Sequence, residues 1–131
     1  MLTGSCLCGR VAYEADAEIT AIAHCHCQTC RKAHGAAFSS IASVPKSSFR
    51  WVHGEDALGS HESSPGKIRR FCAACGSQLI AERTDRDVVM LRLGCLDTPV
   101  AGGDGQWHIW LSDKASWYDP QALFKSRDEG F

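Results

Sequence analysis

The spacing of the cysteines constrains this chain more than any other feature. Eight of its 131 residues are cysteine. They fall as Cys6 and Cys8, then Cys25, Cys27 and Cys30, then Cys72 and Cys75, with Cys95 alone. Close pairs of this kind bend the backbone into knuckles that aim two thiolates at one ion. A disulfide instead holds its Cα atoms about 4.4–6.8 Å apart and tolerates little strain. A disulfide framework would also require export, and the opening run MLTGSCLCGRVAYEAD has no positively charged leader followed by an apolar stretch. Metal binding is the expected use of these residues.

Composition narrows the rest. Fourteen Lys and Arg against fifteen Asp and Glu leave a formal charge of -1, which argues against nucleic acid or a membrane surface as partner. No stretch approaches the roughly 20 apolar residues of a membrane span. The expectation is a single domain over residues 1–131, in a reducing, cytoplasmic setting.

The hydrophobic pattern is that of an all-β protein of short strands. Val11, Tyr13 and Ala15 alternate with Ala12 and Glu14, and Val89, Leu91, Leu93 and Cys95 alternate with Val88, Met90 and Arg92. AIAHC, AFSSIASV, FRWVHG, KIRRFC, SQLIAER and QWHIWLS are further strand candidates, separated by turn-rich pieces such as VPKSS, SSPG and RTDRD. Only CRKAHG reads as helical, for at most about two turns.

On this layout Cys6 and Cys8 precede the first alternating strand, and Cys72 and Cys75 sit between two others, each pair followed by a glycine that permits a sharp turn. The two knuckles together supply the four thiolates of a closed structural zinc site. The competing arrangement pairs either knuckle with part of the triplet. Cys25, Cys27 and Cys30 then form a three-ligand set, the arrangement that leaves a fourth corner to water or substrate in catalytic zinc sites. Cys95, on the face of Leu91 and Leu93, reads as a core residue rather than a ligand. His24 and His26 alternate with Cys25 and Cys27 and should point away from the metal. His34 could approach only loosely.

Arg31 and Lys32 follow Cys30 and place positive charge beside it, and a helical turn starting there would add its dipole, so Cys30 is the expected reactive sulfur. Arg31, Lys32, Lys67, Arg69 and Arg70 are cations available to an anionic ligand, though such residues more often form a solvated face. His108 reads as a structural histidine sharing a strand face with Trp110, and Trp117 and Tyr118 as core or lid.

In order, GSCLCGRVAYE, HCHCQTCRKAHGAAF, FCAACGSQL, LRLGCLD and HIWLSDKASWYD resemble the motifs of the glutathione-dependent formaldehyde-activating enzyme family, also called the Gfa or centromere protein V family. The likeness runs through nearly the whole chain. It implies an all-β, Mss4-like fold of short antiparallel strands holding two zinc ions. Cys6, Cys8, Cys72 and Cys75 match the structural ligands, and Cys25, Cys27 and Cys30 match the more labile, catalytic site. The implied reaction is of the carbon-sulfur lyase class, joining a thiol such as glutathione to formaldehyde or another small aldehyde. It also leaves room for a homodimer. The reading from a different class is a non-catalytic zinc scaffold that binds a protein, since fold alone does not settle function.

Overall fold

A computed structural model of the chain describes residues 1–102 and 104–130. It contains ten strands and one helix among those residues. Strands β1 (Leu2–Ser5), β2 (Ala12–Ala15) and β5 (Phe49–His53) form a three-stranded antiparallel sheet in the order β1-β2-β5. Its inner face is organised by Tyr13, which is fully buried and packs on Phe49 and Trp51 with ring centroids 5.3 and 6.1 Å away. The cross-strand partner of Tyr13 is Gly4. A Cβ at Gly4 would lie 2.3 Å from the tyrosine ring, so only glycine admits it.

The remaining strands are β3 (Ile22–Cys25), β4 (Ser39–Pro45), β6 (Leu58–Ser64), β7 (Lys67–Cys72), β8 (Gln78–Arg83), β9 (Val88–Arg92) and β10 (Gln106–Ile109). They build a seven-stranded sheet in the order β10-β3-β4-β9-β8-β7-β6. The all-β expectation is borne out. The expected strands all form, but two form unannounced. β1 and β6 carry too few apolar residues to alternate visibly, and β6 (LGSHESS) holds an edge by pairing with β7. One pairing also departs from the antiparallel rule: β10 lies parallel to β3, with His108 beside His24 and Ile109 beside Cys25.

The core lies where Leu2 and Tyr13 of the first sheet, with Val11 just before β2, meet Leu79, Ile80, Val89, Leu91 and Val44 of the second. Burying such side chains contributes about 1.5–3 kcal/mol each before chain entropy is counted. β9 ends at Arg92, one residue after Leu91, and Leu93–Cys95 is a 3₁₀ turn. Cys95 is therefore not on the strand face of Leu91, although it still packs against the core and donates through Sγ to the Gln78 carbonyl at 3.2 Å.

Helix α1 spans Gln28–His34, two turns, as the CRKAHG pattern suggests but starting two residues earlier. Cys27 is its N-cap, accepting from the Cys30 N–H at 3.3 Å, and Gly35 closes it at φ 57°. No helix among the described residues is long and apolar enough to cross a membrane.

Candidate metal centre

Two knuckles of nearly identical build bring the first cysteine group together. In one, Cys6 N–H donates to the Val11 carbonyl at 3.0 Å and Gly9 N–H returns to the Cys6 carbonyl at 2.9 Å. In the other, Cys72 N–H donates to Ser77 at 3.0 Å and Gly76 N–H to Cys72 at 2.8 Å. Gly9 and Gly76 take φ values of 74° and 79°, the left-handed turn that aims the second cysteine back at the first. The sulfurs of Cys6, Cys8, Cys72 and Cys75 all lie within 4.8 Å of one another. Cys6 Sγ is 3.6 Å from Cys8 Sγ, which is 3.8 Å from Cys72 Sγ. An ion bonded to four sulfurs at about 2.3 Å in a tetrahedron separates them by about 3.8 Å, so the spacing fits zinc. Donors point at these sulfurs too: Val11 N–H at 3.3 Å from Cys6 Sγ, and the Ser77 hydroxyl 3.2 Å from Cys75 Sγ, which holds the Cys75 thiol down to about 5. The grouping of the two knuckles with each other, rather than with the triplet, is thereby decided for this structure.

The second group is Cys25, Cys27 and Cys30, whose sulfurs also lie within 4.8 Å of one another. Cys25 ends β3, Cys27 caps α1 and Cys30 is the one buried residue of that helix. The helix begins before Cys30, so its first turn addresses Cys27 rather than starting at Cys30. The Cys30 thiol is held far below its ordinary value, at about 4, first by its hydrogen bond with Cys25 and then, against its own burial, by Arg69. Cys25 is pushed the other way, first by the same hydrogen bond. Three close thiols of this kind match a thiolate-bound metal. Among the described residues, these are the two places where three or more metal-ligating side chains gather.

The charge beside Cys30 is not the charge its neighbours in sequence suggest. Arg31 turns back to donate through Nε to the His26 carbonyl at 3.3 Å, and Lys32 is exposed. The cation that reaches Cys30 is Arg69, whose Nη2 donates to Cys30 Sγ at 3.6 Å. Arg69 is only 3% exposed, so it is not part of a solvated face. Its Nε is fixed by the Ser63 hydroxyl on β6 at 2.8 Å. β6 thus completes a relay that sequence patterning misses. Arg70, its neighbour on β7, points the other way and pairs with Glu82 at 2.8 Å.

A cavity of about 450 Å³ opens on Cys25 and Cys27. Lys67, Arg69, Arg83 and Arg86 give it four cations against the single carboxylate of Asp113, and Ile41, Met90, Ile109 and Trp110 supply apolar wall. Arg83 and Arg86 were not among the cations picked from the sequence; their only signal was the charged turn RTDRD after β8. Trp110 sits at φ 59°, the one non-glycine in the left-handed region among the described residues. It therefore leaves the strand instead of sharing a face with His108, and lies at the cavity rim.

The histidines stay off the metal-ligating groups. His24 bonds Ser40 and Gln106, each at 2.9 Å, and His26, fully buried, meets His108 ring to ring at 2.8 Å. His108 is thus tied to His26 and joins neither cysteine group. Tyr118 packs on His26 and Phe38, whereas Trp117 meets the Tyr118 ring edge-on and is 69% exposed, so it is not core. His34 and Cys95 join neither group.

An uncharacterized lyase of Schizosaccharomyces pombe is 33% identical over 76 residues, covering 58% of this chain and 53% of its own. Proteins of Aspergillus flavus and Aspergillus oryzae, provisionally named as glutathione-dependent formaldehyde-activating enzymes, are each 31% identical over 97 residues, 74% of this chain and 44% of theirs. The chain thus spans about half the length of the curated relatives it matches. A crystal structure of a Rhodobacter sphaeroides protein shares the fold with TM-score 0.64 at 20% identity, covering 80% of this chain and 99% of its own. The sequence profile titled "glutathione-dependent formaldehyde-activating enzyme" matches residues 1–113, and on that match the chain belongs to the glutathione-dependent formaldehyde-activating enzyme family.

Proposed function

We propose that the protein is a zinc-dependent enzyme of the carbon-sulfur lyase type, which adds an anionic thiol, glutathione or similar, to formaldehyde or another small aldehyde. The observation that carries this reading is the four-cation cavity opening on the triplet, with a buried arginine donating to Cys30. Cys6, Cys8, Cys72 and Cys75 would hold a structural zinc, and Cys25, Cys27 and Cys30 the catalytic one. Bound there, zinc supplies Lewis acidity toward a carbonyl oxygen and stabilises thiolate at neutral pH.

The chain's own residues account for the rest. Lys67 and Arg86 offer partners to the carboxylates of a peptide-like thiol, whereas Arg83 is already paired with Asp85 at 2.9 Å. Ile41, Met90 and Ile109 form the apolar wall against which a small aldehyde is kept from bulk water. In the bond-making step the thiolate sulfur donates its electron pair to the aldehyde carbon, the carbonyl π pair moves to oxygen, and the oxygen takes a proton to give the S-hydroxymethyl adduct. Cys30 carries the chemical role in this proposal. Its thiolate is the one that Arg69 stabilises, through the 3.6 Å contact to Sγ.

Exchange NMR on formaldehyde and glutathione mixtures measures adduct formation directly. The zinc-loaded protein is expected to raise the exchange rate above the spontaneous one, and Cys30→Ser to return it to that baseline while the protein stays folded. An unchanged rate with the parent protein, or full activity in Cys30→Ser, would sink the proposal.

A further inference from the structure

A second cavity, of about 430 Å³, lies between the two cysteine groups, against the turn after Cys75 on one side and the end of α1 on the other. Gly76, Ser77 and Gln78 form the first wall, and Ala33 and His34 the second. None of its lining residues is acidic. Into it comes Arg92, the last residue of β9, only 2% exposed. Its Nη1 donates to the Ser39 hydroxyl at 3.1 Å, while Nε and Nη2 are buried without a hydrogen-bond partner. Two more lining residues carry buried polar atoms in the same state: Gln78 through Oε1 and His34 through Nε2.

An unpartnered buried donor or acceptor destabilises the fold, and a charged one does so more. Three residues in this condition in the lining of one cavity are therefore unlike a packing accident. The triplet thiols act on Arg92 through space, but none is hydrogen-bonded to its free edge. Burial lowers the Arg92 guanidinium only to about 10, so it is a cation at neutral pH. Burial likewise holds His34 at about 4, leaving a neutral imidazole. The site therefore offers one positive charge, no negative one, and neutral polar groups beside it.

The chemistry of the free edge is specific. Nε and Nη2 are the two parallel donors of the side-on guanidinium fork, whose spacing matches the two oxygens of one carboxylate. Gln78 Oε1 is an acceptor and needs a donor on the same ligand. We propose that this cavity is a ligand site separate from the one over the triplet. It seats the carboxylate of a small molecule on the Nε and Nη2 edge of Arg92 and takes an N–H of the same molecule on Gln78 Oε1. A molecule with both groups is an amino-acid derivative or the end of a short peptide. The proposal stands whether or not the triplet catalyses thiol addition.

The test uses the zinc-loaded full chain, labelled with ¹⁵N and titrated with N-acetylglycine and, in parallel, with its uncharged amide. N-acetylglycine is expected to saturate in the millimolar range and shift the amides of Ser40, Ser77 and Gly94, and the uncharged amide to leave them in place. Arg92→Lys keeps the charge but loses the fork, and should weaken binding about 10- to 100-fold. If that variant does not fold, Gln78→Ala takes its place, with a loss of about 3- to 10-fold expected. Absence of saturable shifts with the parent protein, equal shifts from the amide, shifts confined to Ser63, Ser64 and Lys67 over the triplet, or unweakened binding by the folded variant would each overturn the proposal.

Discussion

Replacing Cys72 and Cys75 together by serine removes half of the first cysteine group and tests what a metal there does for the fold. Cys8 and Cys72 lie 64 residues apart in sequence with sulfurs 3.8 Å apart. A metal shared by the two knuckles thus closes a loop of that length in the unfolded chain. By the chain-entropy estimate for a cross-link, such a closure contributes about 4 kcal/mol. The triplet is different, because Cys25 and Cys30 close a loop of only about five residues, worth about 2 kcal/mol on the same scale. A domain this size has about 5–15 kcal/mol of net stability in all. Losing about 4 kcal/mol should lower the melting temperature by roughly 12–24 °C, against about half that for Cys25→Ser with Cys27→Ser. Circular dichroism melts of zinc-loaded proteins, with native mass spectrometry to count bound zinc, make the comparison. If the Cys72→Ser, Cys75→Ser protein binds one zinc fewer and yet melts within about 3 °C of the parent, the cross-link argument is wrong. The same holds if the triplet variant is the less stable of the two.

Three further outcomes follow from the site. Arg69→Met removes the donor to Cys30 Sγ, and should lower zinc affinity at the triplet or adduct formation by about 10- to 100-fold, as read by competition with a chromophoric chelator and by exchange NMR, with Arg69→Lys intermediate. His34, whose folded value is depressed to about 4 from 6.5 by burial and then by Arg92, contributes stability that is fully present above pH 6.5 and is lost as pH falls from 6.5 through 4, by at most about 3 kcal/mol. Urea unfolding across that window should therefore fall less steeply for His34→Gln than for the parent. Trp110→Gly relieves a left-handed backbone worth roughly 1–3 kcal/mol. It should hold or raise the melting temperature while raising the KM for the thiol, and a large fall in melting temperature would show that the indole is structural instead.

The grouping of the cysteines was legible because it is local: C-x-C, C-x-C-x-x-C and C-x-x-C bring two or three sulfurs together within a turn, and turn glycines such as Gly9 and Gly76 carry the geometry. Helix α1 was legible in type for the same reason. Strand alternation located eight of the ten strands, but not β1 and β6, whose stability comes from pairing across the sheet rather than from an apolar face of their own. What surrounds the triplet was not legible. Arg31 and Lys32 are adjacent to Cys30 in sequence and turn elsewhere, whereas Arg69 arrives from 39 residues away because β7 carries it beneath α1. Sequence adjacency reports local charge, and a buried ion contact is set by sheet order.

The parallel strand β10 has a consequence for the order in which the molecule can be completed. It covers what would otherwise be the open edge of β3, the strand that ends in Cys25, and it reaches there from 84 residues further along the chain, the separation of Gln106 from its partner Ile22. Parallel pairing at such separation is slow, because the loop must close before any contact rewards it. Until it docks, β3 exposes unpaired backbone beside three free cysteines, a combination open to pairing with another chain and to oxidation. Of the strands among the described residues β10 lies furthest along the chain, so the β3 edge that ends in Cys25 stays open until that last pairing is made.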